Sequence, residues 1–178
     1  MKQILEHLKT ITPPRIVREA LALYGTSEVV GSKSNPILLN WAKETNSKDD
    51  NWYNDDSIPW CGLFVGVCAQ RAGWELPKQH LRALAWTEFG TKVGNNEAVL
   101  GDVLVFKRNG GGHVGLYVAE DANNFYVLGG NQGDKVNIAK IKKNRLFSVN
   151  RPKYKIQMPE SCKKYYFSIN SPISTNEA

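Results

Sequence analysis

The stretch "HVGLYVAEDANNFYVLGGNQ", residues 113–132, decides the fold. Two alternating apolar runs flank the turn-rich "EDANN" (120–124), which is the pattern of an antiparallel hairpin. A five-residue loop makes Ala119 face Phe125, and six steps further along each strand His113 faces Asn131. Opposed residues share a face with Cβ atoms about 5 Å apart, so imidazole and amide fall within hydrogen-bonding reach. In this register Val114, Leu116 and Val118 pack with Tyr126 and Leu128 on the other face, as a core surface would. A four-residue loop would shift the register by one.

Outward from the hairpin, "GDVLVFKR" (101–108), "KVNIAKI" (135–141) and "RLFSVNR" (145–151) read as further strands of a meander, joined by "NGGG", "NQGD" and "KKN". Before Gly94 the texture is helical. "TPPRIVREALALYG" (12–25) offers Thr12 as a cap, prolines in the first turn, an apolar stripe of Ile16, Ala20, Leu21 and Tyr24, and a stop at Gly25. "NPILLNWAKE" (35–44) has Asn35 as cap and Ile37, Leu38 and Trp41 as its buried face. A third helix runs from Cys61 to Ala72, opened by Pro59 and closed by Gly73, and "LRALAWTEFG" (81–90) reads as a shorter fourth. Helices followed by an antiparallel sheet make an α+β pattern. Residues 1–152 are expected to form one domain, with its core from about 14. Residues 153–178 are expected to be a partly disordered extension in which "KKYYFSI" (163–169) adds an edge strand.

Net charge +6 and a pI near 9.2 suit any anionic partner. No recognition motif or basic stripe with interleaved aromatics accompanies them, so nucleic acid is not expected as a partner. No segment is apolar enough for stable membrane insertion, and "MKQILEHLKTITPP" (1–14) carries charges through the region where a signal peptide needs an uninterrupted apolar run. The expectation is synthesis in the cytoplasm without a signal peptide.

The three cysteines, Cys61, Cys68 and Cys162, lack the paired spacing of a disulfide framework or zinc site. Cys61 differs from the others in standing at a helix start, where orphan N–H groups lower a thiol pKa. Cys68 lies two turns inside the same helix and Cys162 lies in the tail, so both read as packing residues. Among His7, His80 and His113, only His113 opens a strand with an amide placed to orient it. Nucleophile, base and orienting amide make a Cys61-His113-Asn131 set suited to acyl transfer, with backbone N–H groups at the helix start for the oxyanion. Gln132 is the alternative third member, although strand alternation points it to the opposite face.

The stretches "IPWCGLFV", "GDVLVF", "GGHVGLYV" and "VLGGNQ", with "YGTSEVVGSKSNPILLNW" upstream, resemble the CHAP and NlpC-type cysteine amidohydrolases and peptidases, in particular their phage-endolysin-like branch, over residues 14–152. The resemblance implies a papain-like α+β fold, with the thiol at a helix N-terminus packed on an antiparallel meander. It implies hydrolysis of a peptidoglycan amide, by a peptide endopeptidase or an N-acetylmuramoyl-L-alanine amidase acting on the cell wall after release or secretion. Carried over by position, the catalytic residues are Cys61, His113 and Asn131. Gly129 stands where many members carry an acidic residue, and no second histidine follows His113. Trp60, Trp86, Gly129 and Gly130 are expected to line the substrate cleft. No cofactor or metal is expected: Asp49, Asp50, Asp55 and Asp56 have oxygen-ligand chemistry, but their spacing suits Asp55 or Asp56 capping the Cys61 helix better than a calcium loop. The alternatives are a thiol acyltransferase or deamidase acting on protein side chains, or a catalytically inactive wall-binding domain. A secreted effector would add an immunity protein as partner.

Overall fold

The structure is a computed structural model that describes residues 1–29, 31, 33–45, 53–108, 110–175 and 177. Four α-helices come first: α1 (Lys2–Thr10), α2 (Arg15–Ala22), α3 (Pro36–Glu44) and α4 (Cys61–Arg71). A 3-10 helix over Ala83–Glu88 follows, standing where the fourth helix was expected. The strands are β1 (Thr91–Val93), β2 (Val103–Arg108), β3 (Gly111–Glu120), β4 (Asn124–Gly129), β5 (Asn137–Lys142) and β6 (Leu146–Arg151). They form one antiparallel sheet in the order β1-β6-β2-β3-β4-β5. The expected α+β architecture, helices packed on an antiparallel sheet, is the one observed.

α4 is the hub. Every residue from Cys61 to Ala69 is buried, because α2 and α3 pack on one side of the helix and β3 on the other. The sheet turns Val103, Val105, Val114, Leu116, Val118, Tyr126 and Leu128 toward this helix. Its opposite face carries a smaller cluster of Leu104, Phe106, Tyr117, Phe125, Val127, Ile141 and Val149. The alternation read from the sequence therefore sorts the two faces of β3 correctly.

The helical detail departs from expectation in places. Asn35 caps α3, its Oδ1 accepting the Ile37 N–H at 2.9 Å. Leu38, Trp41 and Ala42 are the buried face of α3, while Ile37 is exposed. Thr12 does not cap α2: Pro14 holds that position with no side-chain bond, and Val17 joins Ile16 and Ala20 on the buried face while Tyr24 is exposed. α1 was not expected, and it buries Ile4 and Leu8, an i,i+4 pair. Its His7 ring lies against Tyr165 and Phe167 at centroid distances of 4.7 and 5.6 Å.

That contact belongs to a tail that is laid against the body of the protein. Backbone bonds Leu100 N to Lys163 O, Glu120 N to Tyr165 O, Phe167 N to Glu120 O and Ser174 N to Lys140 O tie it down. A single parallel bridge between Glu120 and Tyr166 takes the place of the expected edge strand.

The β3–β4 hairpin combines two registers. Next to the loop, Glu120 faces Phe125 and Ala119 faces Tyr126; nearer the strand start, Tyr117 faces Val127 and Leu116 faces Leu128. A bulge at Val118 absorbs the difference. Asp121 seals the tight loop, its Oδ1 accepting the N–H groups of Asn123 and Asn124 at 2.9 and 2.7 Å.

Candidate active site

α4 begins at Cys61 with no side chain capping its first turn. Its orphan donors are free for other acceptors. The N–H groups of Cys61 and Gly62 turn to the Cys61 sulfur, and the Val114 N–H reaches it from β3. The Arg108 guanidinium adds a nearby positive charge. All of these favour thiolate. Burial opposes them and wins, since Cys61 is only 6% exposed, so the thiol pKa lies above its ordinary value rather than below it. This corrects the expectation drawn from the helix start alone, whose influence is worth about 0.3–1 kcal/mol at a surface. All three cysteines are free, and burial also pushes Cys68 and Cys162 up.

His113 stands third in β3, opposite Phe106 of β2, and their rings stack with centroids 6.4 Å apart at 26°. It is adjacent in the chain to Val114, whose N–H meets the sulfur, but strand alternation turns the His113 ring to the other face of β3, against Phe106 and away from α4. Among the described residues no hydrogen bond joins Cys61 to His113 in this resting arrangement.

The polar partner of His113 is Gln132, at 3.0 Å from Nε2 to Oε1. Asn131 does not fill that place. β4 ends at Gly129, and Asn131 takes a left-handed φ of 53°, which removes it from the ladder before it can face His113. The chain turns through Gly133 and Asp134, also at positive φ, and Gln132 folds back. Its Nε2 donates to Val127 O and Asn137 O at 3.2 and 2.7 Å, while Asn137 Nδ2 donates to Gln132 O at 2.7 Å. Because Nε2 of the amide faces carbonyls, Oε1 must be the atom facing the imidazole, and His113 Nε2 must carry the proton. Nδ1 is then the basic nitrogen. Gly129 makes this possible: a Cβ there would sit 2.8 Å from Gln132 Oε1. The residue that departs from the resembled pattern is the one that opens space for the substitute orienter.

Burial lowers the His113 pKa from 6.5 to about 4, against the opposing effects of the Glu177 carboxylate and the Gln132 hydrogen bond. Thiol and imidazole are therefore both neutral at pH 7.

A cleft of about 1250 Å³ opens over Cys61, walled by the 76–85 segment and by Gly110, Gly111 and Gly112. His80 also lines it, and a Cβ at Gly66 would lie 2.9 Å from the His80 Cδ2, so the ring lies across α4 one turn beyond Cys61. The tryptophans expected in the cleft are core residues. Trp60 is fully buried and donates Nε1–H to Glu28 Oε1 at 2.8 Å; Trp86 is fully buried and donates to His80 O at 2.8 Å. Gly130 packs against Trp60 and Phe64, and a Cβ on it would lie 2.6 Å from the Phe64 Cβ, so its role is close approach rather than cleft lining.

Of the acidic loop, Asp49 and Asp50 lie outside the described residues. Asp56 does not cap α4; its Oδ2 accepts the N–H groups of Val29 and Asn35 at 3.1 and 2.7 Å, holding the α2–α3 connection. Asp55 accepts the Ser57 N–H at 2.9 Å. Among the described residues no group of three metal-ligating side chains is gathered, and no helix is long and apolar enough to cross a membrane.

No protein-family model matches the sequence, and no curated protein matches it. Among solved structures, the chain is similar to RipD from Mycobacterium tuberculosis, a non-catalytic NlpC/p60 domain protein with an adaptation to peptidoglycan binding. The identity is 16% and the TM-score 0.46, covering 77% of this chain and 94% of that one.

Proposed function

We propose that the chain is a thiol hydrolase that cleaves an amide bond of peptidoglycan, as a peptide endopeptidase or an N-acetylmuramoyl-L-alanine amidase. The observation that carries the chemistry is the Cys61 thiol at the floor of an open cleft, beside the strand start where Gln132 fixes the His113 tautomer. The wall as substrate rests on the sequence resemblance, in the phage-lysin-like branch, and on the net charge of +6, which favours an anionic polymer. The enzyme would meet its substrate after release or secretion from the cell that makes it.

In this reading the His113 ring lies on the other face of β3 from α4, so the thiol proton reaches its Nδ1 through a water at the strand start as Cys61 Sγ attacks the carbonyl carbon. The imidazolium keeps its Nε2–H on Gln132, and helix-start N–H groups receive the oxyanion. Collapse transfers the Nδ1 proton to the leaving nitrogen and leaves a thioester. Water, deprotonated by the same nitrogen, then releases the acid and the thiol. Starting from a neutral pair, the proton moves with the attack rather than before it.

A second reading, a domain that holds the wall without cutting it, draws on one observation: burial holds Cys61 up and His113 down, away from a reactive ion pair. Digestion of purified peptidoglycan of several wall types, with mass spectrometry of the fragments, separates the two. New amino and carboxyl ends that vanish in Cys61→Ala support the hydrolase. Intact walls that nevertheless retain the protein support binding. Intact walls without retention would move the reading to acyl transfer or deamidation on a protein substrate.

A further inference from the structure

A second cavity lies at the other end of the helix that Cys61 begins. α4 is 11 residues long, which sets its two ends about 16 Å apart. It closes with Gly73 at a φ of 87°, the Gly73 N–H on Gln70 O and the Trp74 N–H on Ala69 O, both at 2.9 Å, the paired bonds of a Schellman turn. Trp74 is thereby fixed where the helix stops. Its ring meets Tyr154 edge to face, with centroids 5.4 Å apart at 87°, and the Tyr154 hydroxyl meets the Cys162 sulfur at 3.4 Å. Both rings are half-buried and line a groove of about 490 Å³ between the 12–18 and 154–159 segments. Arg15, Arg18 and Lys155 are the charged residues along it, and no carboxylate lines it. Arg15 has Glu19 at 3.6 Å, but among the described residues no carboxylate pairs with Arg18 or Lys155, both exposed. Thr12 and Pro159 also line an adjoining cavity of about 530 Å³, so the groove continues. There Lys163 lies over the Tyr165 ring, 5.8 Å from its centroid, with Glu160 the single acid along the way.

From these features we propose that the joined groove binds an anionic glycan, with sugar rings on Trp74 and Tyr165 and acidic groups on Arg18 and Lys155. The face of an aromatic ring is electron-rich and attracts the C–H face of a sugar, while the two unpaired cations attract its acidic substituents. A small anion would use neither the aromatic platforms nor the second cavity. A neutral glycan would leave the cations unmatched. Nucleic acid shares the charge, but Trp74 and Tyr154 stand at right angles and offer no parallel platforms for successive bases. Because the Schellman turn already holds Trp74, little side-chain freedom is lost on binding. The site uses neither Cys61 nor His113, so it stands whether or not the chain cuts what it holds.

The test is an NMR titration of the indole N–H resonances of the full chain at fixed salt, Trp74 being assigned through Trp74→Phe. The probes are an oligogalacturonate, a neutral chitin oligomer and an oligothymidylate of equal length. The expected result is that oligogalacturonate moves the Trp74 resonance and leaves the buried Trp60 and Trp86 in place. The chitin oligomer binds at least about tenfold more weakly, and Arg18→Gln combined with Lys155→Gln weakens oligogalacturonate binding about tenfold. Trp74→Ala weakens it by a similar factor, and Cys61→Ala binds as wild type does. Should Trp74→Ala not fold, the double variant, confined to exposed side chains, decides the question alone. An unmoved Trp74 resonance, equal affinity for the neutral oligomer, or binding undiminished by the loss of both cations overturns the inference. Tighter binding of oligothymidylate than of oligogalacturonate overturns it in favour of a nucleic-acid groove.

Discussion

The two faces of β3 are built to opposite specifications. Toward α4, Val114, Leu116 and Val118 fill the main core. Toward the other side, His113 sits buried against Gln132 and Phe106, and the face continues apolar through Tyr117 and Phe125. The first face is specified by hydrophobicity and alternation, so many sequences would satisfy it. The second needs particular atoms at particular distances. A strand that performs both tasks places a titratable ring one residue from the amide that meets the Cys61 sulfur. The lesson is that the apolar face locates the site and the polar face tunes it.

The largest expected effect breaks the chemistry and spares both faces. Cys61→Ala should lower peptidoglycan cleavage by on the order of 10³-fold or more, read by fragment mass spectrometry, with an unchanged near-UV circular dichroism spectrum. Next comes acid. His113 has a folded pKa of about 4 against an ordinary 6.5. The unfolded chain therefore takes up its proton first as pH falls, and stability present above pH 6.5 is lost progressively down to about 4. The His113 contribution to that loss is about 3 kcal/mol. Urea unfolding at stepped pH should show a slope in this window that is shallower in His113→Gln.

Gln132→Ala sharpens the comparison on the polar face alone. Without its oxygen the imidazole loses tautomer and orientation, and kcat should fall roughly 10²-fold in steady-state assays. Gly130→Ala acts on the apolar side, pressing a methyl onto Trp60 and Phe64; thermal unfolding should register a loss of about 1–3 kcal/mol. Smallest is Asn131→Gly. Glycine accepts the left-handed φ of 53°, so activity and unfolding midpoint should both stay near wild type. A large activity loss there would restore Asn131 as the orienter and refute the role given to Gln132.

Much of the fold was legible in the sequence. Strand alternation sorted the faces of β3, and the helix starting at Cys61 and the strand carrying His113 near its start lie where they were expected. The third polar residue was not legible, for two local reasons. Leu116 facing Leu128 belongs to the very register that would set His113 opposite Asn131, yet the ladder ends at Gly129. Alternation therefore stops being a guide two residues before it is needed. The fold-back of Gln132 depends on the bare Cα of Gly129 and on Asn137, neither of which announces itself in a strand pattern. The tryptophans were misjudged because an indole with a partner for its N–H is as much at home in a core as in a cleft, and only Glu28 and the His80 carbonyl decide it. The tail was read as loose because its composition is polar. What orders it is distant in sequence: the β5 carbonyl of Lys140 and the guanidinium of Arg145.

The bulge at Val118 has a further consequence for how this molecule tolerates change. It acts as a slack link between the Asp121–Asn124 connection and the strand start that carries His113. Removing one residue from that connection restores the longer-range register if the bulge flattens, so the alteration ends three residues short of Gly115 and never reaches the imidazole. The hairpin tip is accordingly the place where a tag, a linker or a grafted epitope can be accepted with the least disturbance to the site.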